Sequence, residues 1–425
     1  MTKLNLKEKL EGIDSDSSWI EETKKEASEF QVGKSEWAKG SGVKNEVVYK
    51  KTCAAAGEIM YHVHFCFRDW DQFDQQTFEL KEQLAERGLK LDRFGVSIDP
   101  SMALPKELRN DHATHTALYF SDQSDWDKLA SVRCSQVHLG DNMIGSPASF
   151  DSCVHALKAG ITTMGNISQY FGWGYPEFPD NCARTKETVK AILCMGVHKP
   201  EGALIHSNLD DGYGESTENV HELLGMTLIE KYIVEDLCGA HLAPSFGDDF
   251  HSPYKRLIML SALKQIYGDD LTGSMLFTNK LGRNHKDSSL NDAHLFDSLL
   301  FDMAGQVHYR TGHAVTVMAD TGLHEKVTVE EIVRKLALAK EEEKYIGDVL
   351  KLINFDEIDE AASVQKENGK HFASAVLDAL SSYVDIKNPY SLMLAIKTIG
   401  VKDLVLHYSD PNVEKIPTDY HHFEH

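Results

Sequence analysis

The chain has 425 residues, 42% of them hydrophobic and 26% charged, which fits a globular protein larger than one average domain. A formal net charge of −22 excludes binding to nucleic acid through phosphate neutralisation, which needs clustered Lys and Arg. No apolar run approaches the roughly 20 residues of a membrane-spanning helix. The charged start, residues 1–9, has no apolar core, so no secretion signal is expected.

Residues 1–50 read as a polar N-terminal extension with a helical stretch near 19–30. From Gly57 onward, short apolar runs rich in β-formers alternate with helical stretches. The runs are 58–67, 93–99, 136–141, 162–168, 203–210, 240–246, 272–278 and 313–320. Helical periodicity marks 75–87, 150–158, 187–195, 219–238, 254–267 and 290–309. Alternating strands and helices imply parallel pairing, because a parallel strand needs a crossover. Eight such units predict an α/β fold, a (β/α)8 TIM barrel, over 51–345. A doubly wound open sheet is the competitor, but no GxGxxG follows the first strand. Further helices at 327–345, 360–384 and 391–399 follow. Residues 346–425 form a C-terminal helical capping region and tail, whose His421, His422 and His425 read as disordered. The seven cysteines lack a CxxC pair and read as reduced, buried thiols of a cytoplasmic protein.

Barrel enzymes carry their chemistry at the C-terminal strand ends. In strand order these ends offer His62, His64 and Arg68; Asp99; His138 and Asp141; Asn166, Ser168, Gln169, Tyr170, Trp173 and Tyr175; His206, Asn208, Asp210 and Asp211; His241, Ser245, Asp248 and Asp249; Thr278, Asn279, Lys280 and Arg283; and Asp320. Lone strand histidines are commonly structural, but polar groups at all eight ends predict an active site.

Three patterns stand out. His62-Val63-His64 puts two imidazoles on one face of a strand. With His206, His241 and Asp320 they form a candidate ligand set for zinc or another divalent metal, as in a metal-dependent hydrolase or lyase. Strand four lacks the bridging Lys of such amidohydrolases. The segment 165–176 interleaves glycines with Tyr170, Phe171, Trp173 and Tyr175. It reads either as a rigid packed loop or as a flat wall shielding a reactive substrate or a planar cofactor. Residues 279–283 offer Lys280 and Arg283 to a carboxylate.

The order of these features resembles the large, barrel-forming subunit of coenzyme B12-dependent glutamate mutase. The similarity runs from about Gly57 to Tyr408. It is carried by Ala159-Gly160-Ile161-Thr162-Thr163 through Tyr170 and Tyr175-Pro176, by the strand-eight unit 313–340, and by Val384-Asp385-Ile386 with Asn388-Pro389-Tyr390. Two departures stand out: the stretch from Asn166 to Gln169 has no carboxylate, and of the family's substrate arginines only Arg68 has a counterpart.

The resemblance implies the catalytic component of an adenosylcobalamin-dependent carbon-skeleton mutase, an isomerase rearranging a small carboxylic or amino acid by a radical route. Asp292-Ala293-His294 is not followed by the glycine of a cobalamin-holding Asp-x-His-x-x-Gly module. The resemblance therefore implies a small cobalamin-binding partner subunit and an oligomeric assembly. The site residues expected are Asn166, Tyr170 and Tyr175 as catalytic groups, with Arg68, His138, Asn208 and Lys280 binding substrate. The alternatives are the metal-dependent hydrolase above and a non-catalytic barrel acting as a partner's scaffold.

Overall fold

The structure, a computed structural model, describes residues 4–13, 15–278, 288–318 and 328–419, and for 288–291 only the backbone. Lys280, Arg283, Asp320 and the terminal histidines lie outside the described residues.

The fold is mixed α/β, 60% helical, and its strands pair in parallel. Eight strands occur where the alternation predicts them: β1 (Met60–Phe65), β2 (Arg93–Val96), β3 (Gln136–His138), β4 (Thr163–Met164), β5 (Leu204–Asn208), β6 (Leu242–Ser245), β7 (Met275–Leu276) and β8 (Ala314–Thr316). They form a five-stranded sheet, β3-β2-β1-β8-β7, and a three-stranded sheet, β4-β5-β6. Single parallel bridges join the two at both junctions: Leu139 to Met164 beyond β3, and Phe246 to Leu276 beyond β6. β4 and β7 hold only two residues each, against predicted runs of 162–168 and 272–278. Past β4 the chain leaves the ladder early to build the short helix described below.

Alternation along β1 divides its side chains between two environments. Phe65 stacks on Phe67 and meets Phe94 edge-on, with ring centroids 5.0 and 5.6 Å apart. The Tyr61 hydroxyl reaches Glu343 at 2.8 Å. His62 and His64 face the other way, where their neighbours are Gly95, His138 and Phe277. The crossover helices are well terminated. Trp70–Arg87 starts on the Asp69 side chain and ends at Gly88 in the left-handed region, and Val220–Lys231 opens on a capping box of Asn219 and Glu222.

The N-terminal extension contributes the helix Ser18–Ser28 and, across the predicted boundary at 50, the helix Glu46–Ala56. This second helix lies at the N-terminal ends of the strands. Its Glu46 meets Arg93 Nε at 2.7 Å at the start of β2 and accepts a hydrogen bond from the Thr163 hydroxyl at 2.7 Å at the start of β4. Its Lys50 donates to the carbonyls of Ser274 and Gly312, just before β7 and β8. All three charged side chains are buried. At the other end of the chain, the helix Phe355–Ser381 packs along Val220–Lys231 and Pro253–Tyr267.

Of the seven unpaired cysteines Cys53, Cys153, Cys194 and Cys238 are buried as expected, whereas Cys66 and Cys134 are partly buried and Cys182 is exposed. Among the described residues no helix is long and apolar enough to cross a membrane.

Candidate active site

Two layers of polar side chains lie above the Glu46–Arg93–Lys50 floor. The lower one is a ring of four: His62 from β1, His138 from β3, His206 from β5 and Phe277 just past β7. Successive centroids are 5.9 Å (His62 to His138), 4.7 Å (His138 to His206), 6.1 Å (His206 to Phe277) and 6.5 Å (Phe277 to His62) apart. All three imidazoles are fully buried. Burial, and then the nearby Arg93 guanidinium, hold them far below the ordinary histidine range, so they are neutral. Neither ring nitrogen of His62 or of His138 has a hydrogen-bond partner among the described residues. His64, one turn of the alternation higher, bonds the Ser97 hydroxyl at 2.8 Å, and burial lowers it to about 4.

Gly95 on β2 makes room for this layer. A Cβ there would stand 2.4 Å from His64 Nδ1 and 3.2 Å from His62 Cε1. Gly165, following β4, does the same for His206, whose carbonyl would lie 2.4 Å from an added Cβ.

The upper layer is an acid–amide cluster built by the segments that follow β3, β4, β5 and β6. The short helix Ile167–Gly172 turns Gln169 so that its Nε2 donates to Asp141 at 2.8 Å and to Asp211 at 3.0 Å. Asn166 Nδ2 also donates to Asp211, at 3.3 Å. The Asn166 side-chain oxygen accepts from the Asn208 backbone N–H at 2.7 Å, tying β4 to β5. Asn208 Nδ2 donates to Asp248 Oδ2 at 2.8 Å. Asp210 accepts from the backbone of Gly247 and Asp249, at 2.8 and 2.9 Å, and so fixes the loop that carries Asp248. Burial raises the Asp141 carboxyl to about 6; the Gln169 bond opposes the shift and the Asp248 charge adds to it. The side-chain oxygen of Asn208 and the second oxygen of Asp248 are buried with no donor among the described residues.

The structure gathers some of the expected residues here and sends others elsewhere. Asn166 and Asn208 lie in the cluster. Tyr175 stands on its rim, with its hydroxyl 3.2 Å from Asn142 and the Arg184 guanidinium over its ring; burial pushes it up to about 12. His138 belongs to the lower ring rather than to the mouth.

Three expected residues lie apart from the cluster. Tyr170 is fully buried. Its hydroxyl bonds Thr185 at 2.6 Å on the helix Asn181–Val197, and Arg184 and Lys397 lie over its ring, so it packs behind the loop. Arg68 stands in solvent, its side chain 69% exposed and paired with its neighbour Asp69 at the start of a helix, so it clamps nothing in the cluster. His241 precedes β6 and bonds the Asp270 carbonyl at 3.3 Å, at the opposite end of the strands from the cluster. It is not part of a ligand set with His62, His64 and His206. Among the described residues no group of three or more His, Cys, Asp or Glu is placed to hold a metal ion.

Sequence reasoning named Asp141, Gln169, Asp211 and Asp248 as strand-end polar residues without singling them out. It missed the floor entirely. The one signal for it was the i, i+4 spacing of Glu46 and Lys50 immediately before the first strand, which ordinarily marks a solvated helix face.

The chain matches no protein-family model and no curated protein.

Proposed function

We propose that the eight strands close into one β/α barrel and that the chain is an enzyme, of isomerase type, acting on a small amino acid or amine at the acid–amide cluster. Closure is supported by the bridges at both sheet junctions. It is also supported by the His62, His138, His206 and Phe277 ring, because four side chains from alternate strands form one layer of a filled barrel.

One observation carries the functional reading. Asn208 Nδ2 donates to Asp248 Oδ2, while Asn208 Oδ1 and Asp248 Oδ1 are buried without a donor among the described residues. An unmet buried acceptor costs about 1–3 kcal/mol, which a bound N–H or O–H group offsets. With the Asp141 carboxyl beside Asp248, the acceptors suit a substrate ammonium. Asp141, titrating at about 6, gives or takes a proton near neutral pH, the property wanted of a general acid–base group. Gln169 orients it.

A cobalamin-dependent mutase is a second reading, favoured by the rim. Trp173, 40% exposed, and Tyr175, half-buried at the rim, are aromatic rings on this loop that a planar cofactor could meet. Adenosylcobalamin, brought by a small partner subunit, would supply the radical chemistry when bound. Asp248 and Asn208 would then hold the substrate's amino group, and Tyr175 would wall it from water. The described residues do not fit a dicarboxylic substrate, since Arg68 faces solvent and no other described cation is bonded into the cluster.

The test is calorimetry on the full chain with amino acids, amines and the matching deaminated acids. Amino-bearing ligands should bind, and Asp248→Asn should weaken them by about tenfold or more. Equal binding of the deaminated acids, unaffected by Asp248→Asn, would overturn the reading. A substrate-dependent cob(II)alamin signal with a small cobalamin-binding subunit would support the second reading. Its absence while ligand still binds would remove that reading alone.

A further inference from the structure

The chain has a second cavity at the opposite end of the strands from the acid–amide cluster. It has a volume of about 350 Å3 and lies between residues 32–46 of the N-terminal extension and the floor residues Gln136, Gly160 and Thr162. That is within the range of small-molecule sites. Trp37, nearly buried, supplies a flat aromatic wall.

The lining of this cavity holds two lysines, Lys34 and Lys44, and two acids, Glu46 and Glu201. Lys34 and Lys44 are both exposed, and neither is paired with a described carboxylate. The Glu46 carboxylate at the back is already committed to Arg93 and Thr163. Glu201 is the other acid in the lining, 3.9 Å from His198. The helix Glu46–Ala56 begins here, capped by Asn45, and directs its positive end toward the space. Thr162, 6% exposed, lines the same cavity, and its hydroxyl has no hydrogen-bond partner among the described residues. A buried hydroxyl without a partner in the fold calls for one from outside it, a water or a ligand atom.

We propose that this cavity is a binding site for a small organic oxyanion, a phosphate- or carboxylate-bearing molecule with a planar part. The anionic group sits between Lys34, Lys44 and the start of the Glu46–Ala56 helix, the planar part lies against Trp37, and Thr162 donates to the ligand. Because the ligand bridges the extension and the strand floor, binding stabilises the docked extension by mass action. The site is independent of the reaction at the other end.

Full-length protein is titrated with adenosine monophosphate, citrate, inorganic phosphate and adenosine, following melting temperature and binding heat. The oxyanions should raise the melting temperature. The double variant K34A/K44A should weaken them by about tenfold or more. Both lysines are exposed, so the variant should melt near the wild-type temperature without ligand. Asp248→Asn should leave this binding unchanged. Thr162→Val tests the hydroxyl and should weaken the same ligands. No response to any oxyanion at 10 mM (about the weakest binding such a site would show), a response that survives in K34A/K44A, or binding of adenosine as tight as that of its monophosphate would overturn the proposal.

Discussion

Asn208 Nδ2 donates to Asp248 Oδ2 at 2.8 Å across the β5–β6 junction, and that bond leaves one buried oxygen on each residue facing no donor among the described residues. The pair is thus held in place by the fold but is incomplete as a hydrogen-bonding unit.

The Asp141 carboxyl titrates at about 6, above its ordinary value of 3.8. It is protonated below that pH and charged above it, so it serves as a proton donor on the acid side and an acceptor on the alkaline side. Activity that needs the carboxylate should rise through pH 6, and Asp141→Asn should abolish both activity and that limb. The same shift has a stability consequence. A carboxyl raised in the folded state favours folding only while it is protonated. Its destabilising effect is absent below the unfolded value and complete above about 6. Chemical denaturation of wild type and Asp141→Asn at pH 4 and pH 7.5 should show the variant gaining relative stability at the higher pH.

Arg93 is the floor's pivot: it meets Glu46 at 2.7 Å and donates to the Ser274 carbonyl at 2.9 Å, with both charged partners about 1% exposed. Removing one member of such a pair leaves an uncompensated buried charge. Arg93→Met should cost about 3–5 kcal/mol. The double change Arg93→Met with Glu46→Gln should recover part of that, as read by urea denaturation.

Gly95→Ala places a methyl 2.4 Å from Nδ1 of the buried His64 ring. Overpacking of this kind costs about 1–3 kcal/mol. The same denaturation assay should detect it, together with an altered histidine NMR signal from His64.

Tyr170 and Arg68, which lie apart from the cluster, serve as controls. Tyr170→Phe loses one buried hydrogen bond to Thr185, worth about 1 kcal/mol, and should leave ligand affinity at the cluster intact. Arg68→Ala should change neither stability nor affinity measurably. A large loss of binding in either variant would restore that residue to the site.

The short apolar runs rich in β-formers made the eight strands legible, because each needs apolar residues on its helix-facing side whatever the other side carries. Which polar residues meet was much less legible. Tyr170 and Tyr175 share a loop and a residue type. Only the placement of Thr185 and Arg184 on the next helix decides that one is buried behind it and the other reaches the rim. His241 and His206 look equivalent by spacing, yet one precedes its strand and the other lies within it, which puts them at different heights. Arg68 follows β1 closely, but Asp69 caps the next helix and draws the guanidinium outward. Glu46 and Lys50 read as surface charges because nothing local reveals that the helix bearing them slides under the strands.

That floor helix has a consequence for dissecting the molecule. The residues that seal the base of the strand array come from upstream of β1, so a fragment cut at Gly57 would keep every strand and lose Glu46 and Lys50. Arg93 would then be stranded beside three uncharged imidazoles, with water free to enter from below. Anyone seeking a minimal working unit of this protein has to carry its leading segment along.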